Sequence, residues 1–447
     1  MSMAYDLVII GGGPAGYHAA EKAASAGLKT ALVEEDLLGG TCLNRGCIPT
    51  KALLHGTAGY AAFRKENDIY EGNLSLNVKG LYTRKDNVVD TLRKGIESLL
   101  KAGKVDILSG HAVIQDAHTV QVNDETISCE NILVCTGSRP ARLPIPGIEY
   151  AVNSDAFFAG LPEHLDSLVI IGGGVIGVEI ASIFSAMGTE VTILEALPNL
   201  LANMDKDIGR NLAQILKKKG VKVITGAAVK EITKQEKTVC HYELKGKEQE
   251  ASGDMVLVSV GRRANTEGLF ADESLVETSR GIVTDDAGRT SCEGIYAAGD
   301  VVSRSIMLAH AAGAQAENAV AAILKQQPQK NAKLIPACVY TDPEIAVVGM
   351  TEEQAKEQGY KAVKAAMHAN PRCLIQDAER SFMKIVFDDE TKKVLGAHLM
   401  CDRASDMIME FVTAINQGMT VEEMFNAVRP HPSFTEAADD VFRKALA

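Results

Sequence analysis

Val8-Ile9-Ile10-Gly11-Gly12-Gly13-Pro14-Ala15-Gly16 ends one short apolar run and opens an alanine-rich stretch, and the arrangement returns as Val169-Ile170-Ile171-Gly172-Gly173-Gly174-Val175-Ile176-Gly177. Around the first copy, Tyr5–Ile10 reads as a buried strand, the stretch to Gly27 as a helix, and Lys29–Glu34 as a second strand. Around the second, Leu168–Ile171, a helical stretch to Gly188 and Glu190–Glu195 repeat that order. Gly11, Gly13, Gly16, Gly27 and Glu34 match Gly172, Gly174, Gly177, Gly188 and Glu195, every pair 161 residues apart.

Each matched position has a physical task. The first glycine permits a tight turn, the second lets a pyrophosphate reach the backbone, and the third lets helix and strand pack closely. The helix N-terminus offers free N–H groups to phosphate. An acidic residue ending the second strand accepts hydrogen bonds from ribose hydroxyls and favours a ribose without a 2′-phosphate. A single such loop is weak evidence, because glycine turns are common, and two purely structural strand–helix–strand turns remain the competing reading. Two complete copies predict two dinucleotides, FAD and NAD, and therefore hydride traffic between a flavin and a nicotinamide.

A length of 447 residues predicts about three domains. The net charge of −12 argues against a nucleic-acid partner, which needs a basic face. The N-terminus carries no Lys or Arg before Lys22, and Leu168–Phe184, the most apolar stretch, is interrupted by glycines and Glu179, which predicts neither a secretory signal nor a membrane span. Seven of the nine cysteines are scattered singly, unlike a secreted disulfide framework, so the expected compartment is the cytoplasm.

Cys42 and Cys47 are the exception, in Gly39-Gly40-Thr41-Cys42-Leu43-Asn44-Arg45-Gly46-Cys47-Ile48-Pro49-Thr50-Lys51. Their spacing closes a small disulfide ring if the backbone turns. Ile48 to Gly59 reads as a helix with Pro49 in its first turn, which puts Cys47 at an N-terminus that favours the thiolate. Two inert structural thiols are the bland alternative. A zinc site is disfavoured because no second Cys/His cluster has metal spacing, and no metal is expected.

This stretch resembles the redox signature of the flavin-dependent pyridine nucleotide–disulfide oxidoreductases, and the likeness extends along the whole chain, closest to the branch that oxidises dihydrolipoyl groups. The resemblance implies an α/β fold of two Rossmann-like dinucleotide-binding domains, for FAD and NAD, plus an α+β C-terminal dimerisation domain. The boundaries expected are residues 1–145 and 265–332 for a split FAD domain, 146–264 for NAD, and 333–447 for dimerisation. FAD is expected to be tight and non-covalent. Cys42 is implied to meet the substrate and Cys47 to lie against the flavin. Thr136 and Gly137, in Ile132-Leu133-Val134-Cys135-Thr136-Gly137-Ser138, are similar to the crossover between the two nucleotide domains, and Gly261 to the return crossover. Asp300 ends a stretch resembling the second flavin motif, although a strand ending in Gly-Asp also serves as a plain turn. Met307-Leu308-Ala309-His310 resembles the helix start beside the flavin, with Met307, Ala309 and His310 as cofactor neighbours, and His310 alone reads as a packed or surface histidine. Lys51 and Glu179 match positions of an ion pair near the flavin–nicotinamide contact, though alone they pass for surface charges.

Near the C-terminus lies Arg429-Pro430-His431-Pro432-Ser433-Phe434-Thr435-Glu436. Thiol–disulfide exchange needs a base near neutral pH, and a histidine oriented by a carboxylate suits it. Ser433-x-x-Glu436 equally reads as a capping box for the last helix. The resemblance favours His431 as base with Glu436 as its partner, supplied by the other subunit of a homodimer, and implies a lipoyl group carried on another protein. Arg429 stands where the family usually has a further histidine. Pro371 and Cys373, in Asn370-Pro371-Arg372-Cys373, and Ala264 also depart from the pattern, with no reading attached. The rivals are a glutathione reductase-like enzyme, against which Glu195 argues, and a non-catalytic FAD/NAD-binding subunit.

Overall fold

In the computed structural model, which describes residues 4–64 and 71–447, the two glycine repeats open two separate parallel sheets. Met1–Met3, part of the N-terminal stretch read above for a signal, lie outside the described residues. Strand β1 (Tyr5–Ile10) buries its last four residues, as expected of a strand covered on both faces. Helix α1 (Pro14–Ser25) follows with Pro14 in its first turn, where a missing N–H costs nothing, and then β2 (Thr30–Glu34). Two helices in series, α2 (Gly40–Arg45) and α3 (Cys47–Arg64), and the long α4 (Val78–Ala102) return the chain to β3 (Asp106–Ser109). A meander of β4 (Ala112–Asp116), β5 (Thr119–Val122) and β6 (Glu125–Val134) completes the unit. The N-terminal half of β6 pairs antiparallel with β5 and its C-terminal half parallel with β1, giving the order β3-β2-β1-β6.

Strand β7 (Ser138–Pro140) leaves this unit, and β8 (Val152–Asn153) with α5 (Ser154–Ala159) enters the next. There β9 (Ser167–Ile171), α6 (Val175–Met187), β10 (Glu190–Glu195), α7 (Lys206–Lys218) and β11 (Lys222–Thr225) repeat the first pattern. An antiparallel hairpin pair, β12 (Ala227–Lys234), β13 (Thr238–Leu244) and β14 (Lys247–Gly253), precedes β15 (Met255–Val258). The order β11-β10-β9-β15 matches that of the first unit. Both sheets therefore reverse strand order beside their first strand, which is where open α/β sheets form a crevice for ligands.

Strand β16 (Arg262–Ala264) pairs with β7 as a two-stranded neck and returns the chain to the first sheet, where β17 (Ile295–Ala297) adds parallel to β6. Helix α8 (Ala309–Ile323) then packs on α1 through Ala312, Ala316 and Ala319 against Ala15, Ala19 and Ala23. Alanine on both faces is what lets the helices approach closely, and a leucine at Ala316 costs about 1–3 kcal/mol in overpacking.

The rest forms an antiparallel sheet, β18 (Ala337–Val339), β19 (Ile345–Gly349), β20 (Lys361–Ala366), β21 (Phe382–Phe387) and β22 (Val394–Met400), in the order β18-β19-β22-β21-β20. Helices α9 (Glu352–Gln358), α10 (Pro371–Ile375), α11 (Ala404–Gln417), α12 (Val421–Phe425) and α13 (Ala437–Leu446) flank it. Val339, Ile345, Phe382 and Met400 of this sheet share one core with Ile183 and Leu212 of the second unit and Leu53 of α3. The three units thus pack around common apolar residues that include Leu53 of the helix opened by Cys47. Among the described residues no helix is long and apolar enough to cross a membrane.

Candidate active site

The two glycine loops have matching geometry. Gly11 and Gly172 adopt φ of +106° and +111°, and a Cβ on either would lie 2.3 or 2.5 Å from a carbonyl oxygen of the strand beside it, Cys135 or Ser259. A Cβ on Gly16 or Gly177 would strike the carbonyl oxygen of its own loop's first glycine, at 1.8 and 2.1 Å. The middle glycines differ: a Cβ on Gly13 meets nothing nearer than Gly40 Cα at 3.7 Å, and on Gly174 nothing within 4 Å. Each loop is therefore closed on its protein side and open in front of the helix N-terminus, a cradle that any side chain would fill. Neither α1 nor α6 has a side-chain cap, so their first N–H groups face that space.

The acidic strand ends are fixed alike. Glu34 accepts from Gly12 N at 2.7 Å and Asp36 N at 2.8 Å, and Glu195 accepts from Gly173 N at 2.6 Å and Leu197 N at 2.7 Å. A carboxylate has about four acceptor positions, so each keeps capacity for ribose hydroxyls. Burial pushes the Glu34 carboxyl up, against the Gly12 hydrogen bond.

Cys42 lies inside α2, Cys47 is the first residue of α3, and the two form a disulfide with Cα atoms 4.7 Å apart. The turn that the spacing requires is a short helix broken at Gly46, where the sequence suggested no helix. Asn44 holds it: its amide donates to Leu38 O and Gly40 O at 3.0 and 2.9 Å, and its Oδ1 accepts from Arg93 Nε and Nη2 at 3.0 and 2.8 Å. The α3 N-terminus favours negative charge on the Cys47 sulfur.

One turn along α3, Lys51 Nζ meets Glu179 of α6 at 2.8 and 3.0 Å. The family resemblance implied this pair, while the residues alone passed for surface charges, and neither pointed to the third member. Tyr340 donates its backbone N–H to Glu179 Oε1 at 2.9 Å and lays its ring 4.6 Å from the Lys51 ammonium. All three units therefore meet at one carboxylate.

The crossover is held by Arg262, which stands beside Gly261 in the stretch read as the return crossover, where the sequence pattern assigns it no role of its own. Its guanidinium donates to Ser138 Oγ (2.8 Å), Ser138 O (2.6 Å), Asp155 Oδ1 (3.2 Å) and Thr41 Oγ1 (3.3 Å), tying the neck to the turn beside Cys42. Ser138 in turn donates to Asp300 Oδ2 at 2.6 Å, and burial raises the Asp300 carboxyl. Thr136 spends its hydroxyl on Asn265 O at 2.7 Å, linking the outgoing and returning chains. Gly137 and Gly261 adopt φ of +69° and +112° with open space beside both. Helix α8 starts after Leu308 without a side-chain cap, so Met307 and Ala309 flank free N–H groups. His310 is exposed, and its Nε2 bonds Pro336 O at 2.7 Å.

His431 is 69% exposed, and its Nδ1 lies 2.8 Å from Glu436 Oε1. The other oxygen, Oε2, accepts from Ser433 N at 2.7 Å. These two hydrogen bonds hold the Glu436 carboxyl below the usual range, Ser433 contributing most. Helix α13 begins at Ala437, so Glu436 stands at the cap position and not three residues inside, and the capping-box geometry is only half formed. Arg429 is turned into the protein, 5% exposed, ion-paired to Glu410 and, at 2.6 Å, to Asp439, over the Phe442 ring. Its role is to anchor the loop that presents His431. Within one chain this loop packs with the C-terminal sheet, while α2 packs on α3, α4 and α5.

Among the described residues, the group of carboxylates close enough to share a cation is Asp205, Asp207 and Glu352, and Lys384 Nζ already sits among them at 2.8, 2.9 and 2.6 Å.

The sequence profile described as "Pyridine nucleotide-disulphide oxidoreductase" matches residues 5–316, and that of the same family's dimerisation domain matches residues 335–441. The chain is 38% identical to a dihydrolipoyl dehydrogenase of Mycoplasma genitalium, covering 99% of both chains. It is 39% identical to a dihydrolipoyl dehydrogenase of Bacillus subtilis, covering 99% of this chain and 96% of that one. Among solved structures, the HOCl-induced flavoprotein disulfide reductase RclA of Escherichia coli superposes with a TM-score of 0.87 at 30% identity, over 98% of this chain and 99% of that chain.

Proposed function

The chain belongs to the pyridine nucleotide–disulphide oxidoreductase family, and on that premise we propose that it oxidises protein-borne dihydrolipoyl groups to the cyclic disulfide and reduces NAD+ to NADH. It is an enzyme, and its cofactors are FAD and NAD. The observation that carries the reading is the Cys42–Cys47 disulfide at the start of α3, between two open glycine cradles.

We assign the first cradle (Gly11, Gly13, Gly16), Glu34 and Asp300 to FAD, with Thr136, Gly137, Met307, Ala309 and His310 around it. The second cradle (Gly172, Gly174, Gly177), Glu195 and Gly261 take NAD. Residues 1–145 with 265–332, 146–264 and 333–447 are the corresponding domains. FAD, when bound, supplies the two-electron carrier between the enzyme dithiol and NAD+.

The chain's own part is thiol–disulfide exchange. His431 of the partner subunit takes the proton of one dihydrolipoyl thiol, and the resulting thiolate attacks Cys42 Sγ. The Cys42–Cys47 bond breaks and its electron pair leaves on Cys47, where the α3 N-terminus stabilises the thiolate. The second dihydrolipoyl sulfur displaces Cys42 from the mixed disulfide, its own proton passing to the imidazole as the imidazole hands the first proton to Cys42. The lipoyl disulfide forms, and Cys42 leaves as a thiol by taking back the proton held on the imidazole. Glu436 fixes the imidazole so that Nε2 faces the substrate. The dimerisation-domain match over residues 335–441 supports a homodimer in which the base of one subunit serves the disulfide of the other, and the cytosol is the compartment that suits it.

The test is NAD+ reduction by dihydrolipoamide beside NADPH-dependent reduction of glutathione disulfide. The first proceeds and the second does not, because the Glu195 carboxylate repels a 2′-phosphate. Turnover that survives Cys42→Ser contradicts the disulfide route.

A further inference from the structure

His431 is largely exposed, so packing contributes little to its placement and the Glu436 carboxylate holds its ring. Its orientation depends on how the following residues are tied down. Ser433, two positions on, has both of its peptide groups engaged. Its N–H donates to Glu436, the residue that bonds His431, and its carbonyl accepts from Asn370 Nδ2 at 3.0 Å across 63 residues of sequence.

Asn370 is itself buried, and both ends of its amide are engaged. Oδ1 accepts from Arg372 N and Cys373 N, at 3.0 and 3.1 Å, as the N-cap of α10. Nδ2 is then the only part directed at the loop. Two backbone donors on one side and a carbonyl on the other fix which end of the amide is which.

We propose that Asn370 is a positioning residue for the base, acting through the Ser433 carbonyl to hold the Glu436–His431 pair in register with the partner's disulfide. This rests on His431 being the base of the reading above. Asn370 does more here than cap a helix. An aspartate caps equally well, since it offers the same acceptor oxygen at the same reach. It cannot donate to Ser433, and it sets a carboxylate oxygen against the carbonyl.

Asn370→Asp therefore separates the two roles, with Asn370→Ala as the variant that loses both. The holoenzyme is measured in two assays: complete turnover, as dihydrolipoamide-dependent NAD+ reduction, and the nicotinamide half-reaction, as the rate at which NADH bleaches the bound flavin. In both variants the first falls about 10–100-fold, the effect of a base displaced by about an ångström. The second stays within about twofold of wild type. Wild-type turnover in Asn370→Asp overturns the proposal, because capping is then the whole role. Proportional loss in both assays overturns it too, because Asn370 then supports the fold at large. A wild type that bleaches with NADH yet ignores dihydrolipoamide strikes instead at the reading beneath.

Discussion

Lys51 Nζ lies 2.8 Å from Glu179 Oε2, so a single ion pair joins the helix that begins at Cys47 to the helix that begins behind Gly174. The glutamate side chain is only 4% exposed, whereas the lysine reaches solvent at 29%. Removing the ammonium leaves a buried carboxylate with the Tyr340 N–H as its remaining close donor. Lys51→Met is therefore expected to destabilise more than Glu179→Gln, whose amide still accepts from Tyr340. A double-mutant cycle on urea unfolding should give a coupling of about 1–3 kcal/mol. A value below about 0.5 kcal/mol would mean that the pair behaves as an exposed one.

Arg429 predicts a second stability effect. It supplies the positive charge between Glu410 and Asp439, and its Nη1 also donates to Met424 O and Ala427 O at 3.3 and 3.2 Å. Arg429→Met keeps the contact with Phe442 but leaves two carboxylates facing one another. Both are partly solvated, so the cost belongs at the low end for a broken buried pair, about 2–3 kcal/mol. Arg429→Lys recovers only part of it, because an ammonium cannot form the fork. Thermal scans of the two variants check this, and equal midpoints for Arg429→Met and wild type would contradict the anchoring role.

The parts of this molecule legible in its sequence are those set by local constraint. Gly11 and Gly172 need positive φ, Gly16 and Gly177 have no room for a Cβ, and the cysteines are five positions apart, so each leaves a short readable pattern. Tyr340 with Glu179 and Lys384 with Asp205 are separated by 161 and 179 residues, and nothing near either pair announces its partner. The α2 helix escaped notice because six residues between glycines carry no helical period. Ser433 and Glu436 show the opposite failure. Their spacing fits a capping box, but His431 takes one carboxylate oxygen and the helix starts one residue after the glutamate.

The Lys384 cluster predicts how the second unit parts from the C-terminal sheet in acid. Burial pushes the Asp207 carboxyl up, but hydrogen bonds from Lys364 and Lys384 outweigh it and bring it down to about 2. A depressed folded-state value means that stability is present above the unfolded value near 4 and is lost as pH falls towards 2. Unfolding free energies from urea titrations between pH 6 and pH 2 should fall in that window by about 1 kcal/mol more in wild type than in Asp207→Asn, because solvent screens the partly exposed Lys364–Asp207 pair. Lys384→Met removes one of the two lysines that lower the carboxyl, so its acid transition moves to higher pH. An unchanged transition would show that the ammonium contributes little there.

The remaining cysteines give a chemical test of the working pair. Burial raises the thiols of Cys129 and Cys240 to about 12 and that of Cys338 to about 11, and it pushes Cys135, Cys401 and Cys373 up as well. At pH 7 a thiol at 11 is ionised in about one molecule in ten thousand, and the thiolate is the reacting form. Cys42 and Cys47 are only half-buried, and opening their disulfide leaves Cys47 at a helix N-terminus. Iodoacetamide added to the oxidised protein should therefore label slowly, with Cys292, half-buried among the free thiols, as the first to react. Prior reduction with dihydrolipoamide should add fast labels at Cys42 and Cys47 alone, read by peptide mass mapping. Fast labelling at Cys129 or Cys240 would mean that the sheets open on the time scale of the reaction. Absence of new label at Cys42 and Cys47 would mean that the dithiol does not reach the disulfide.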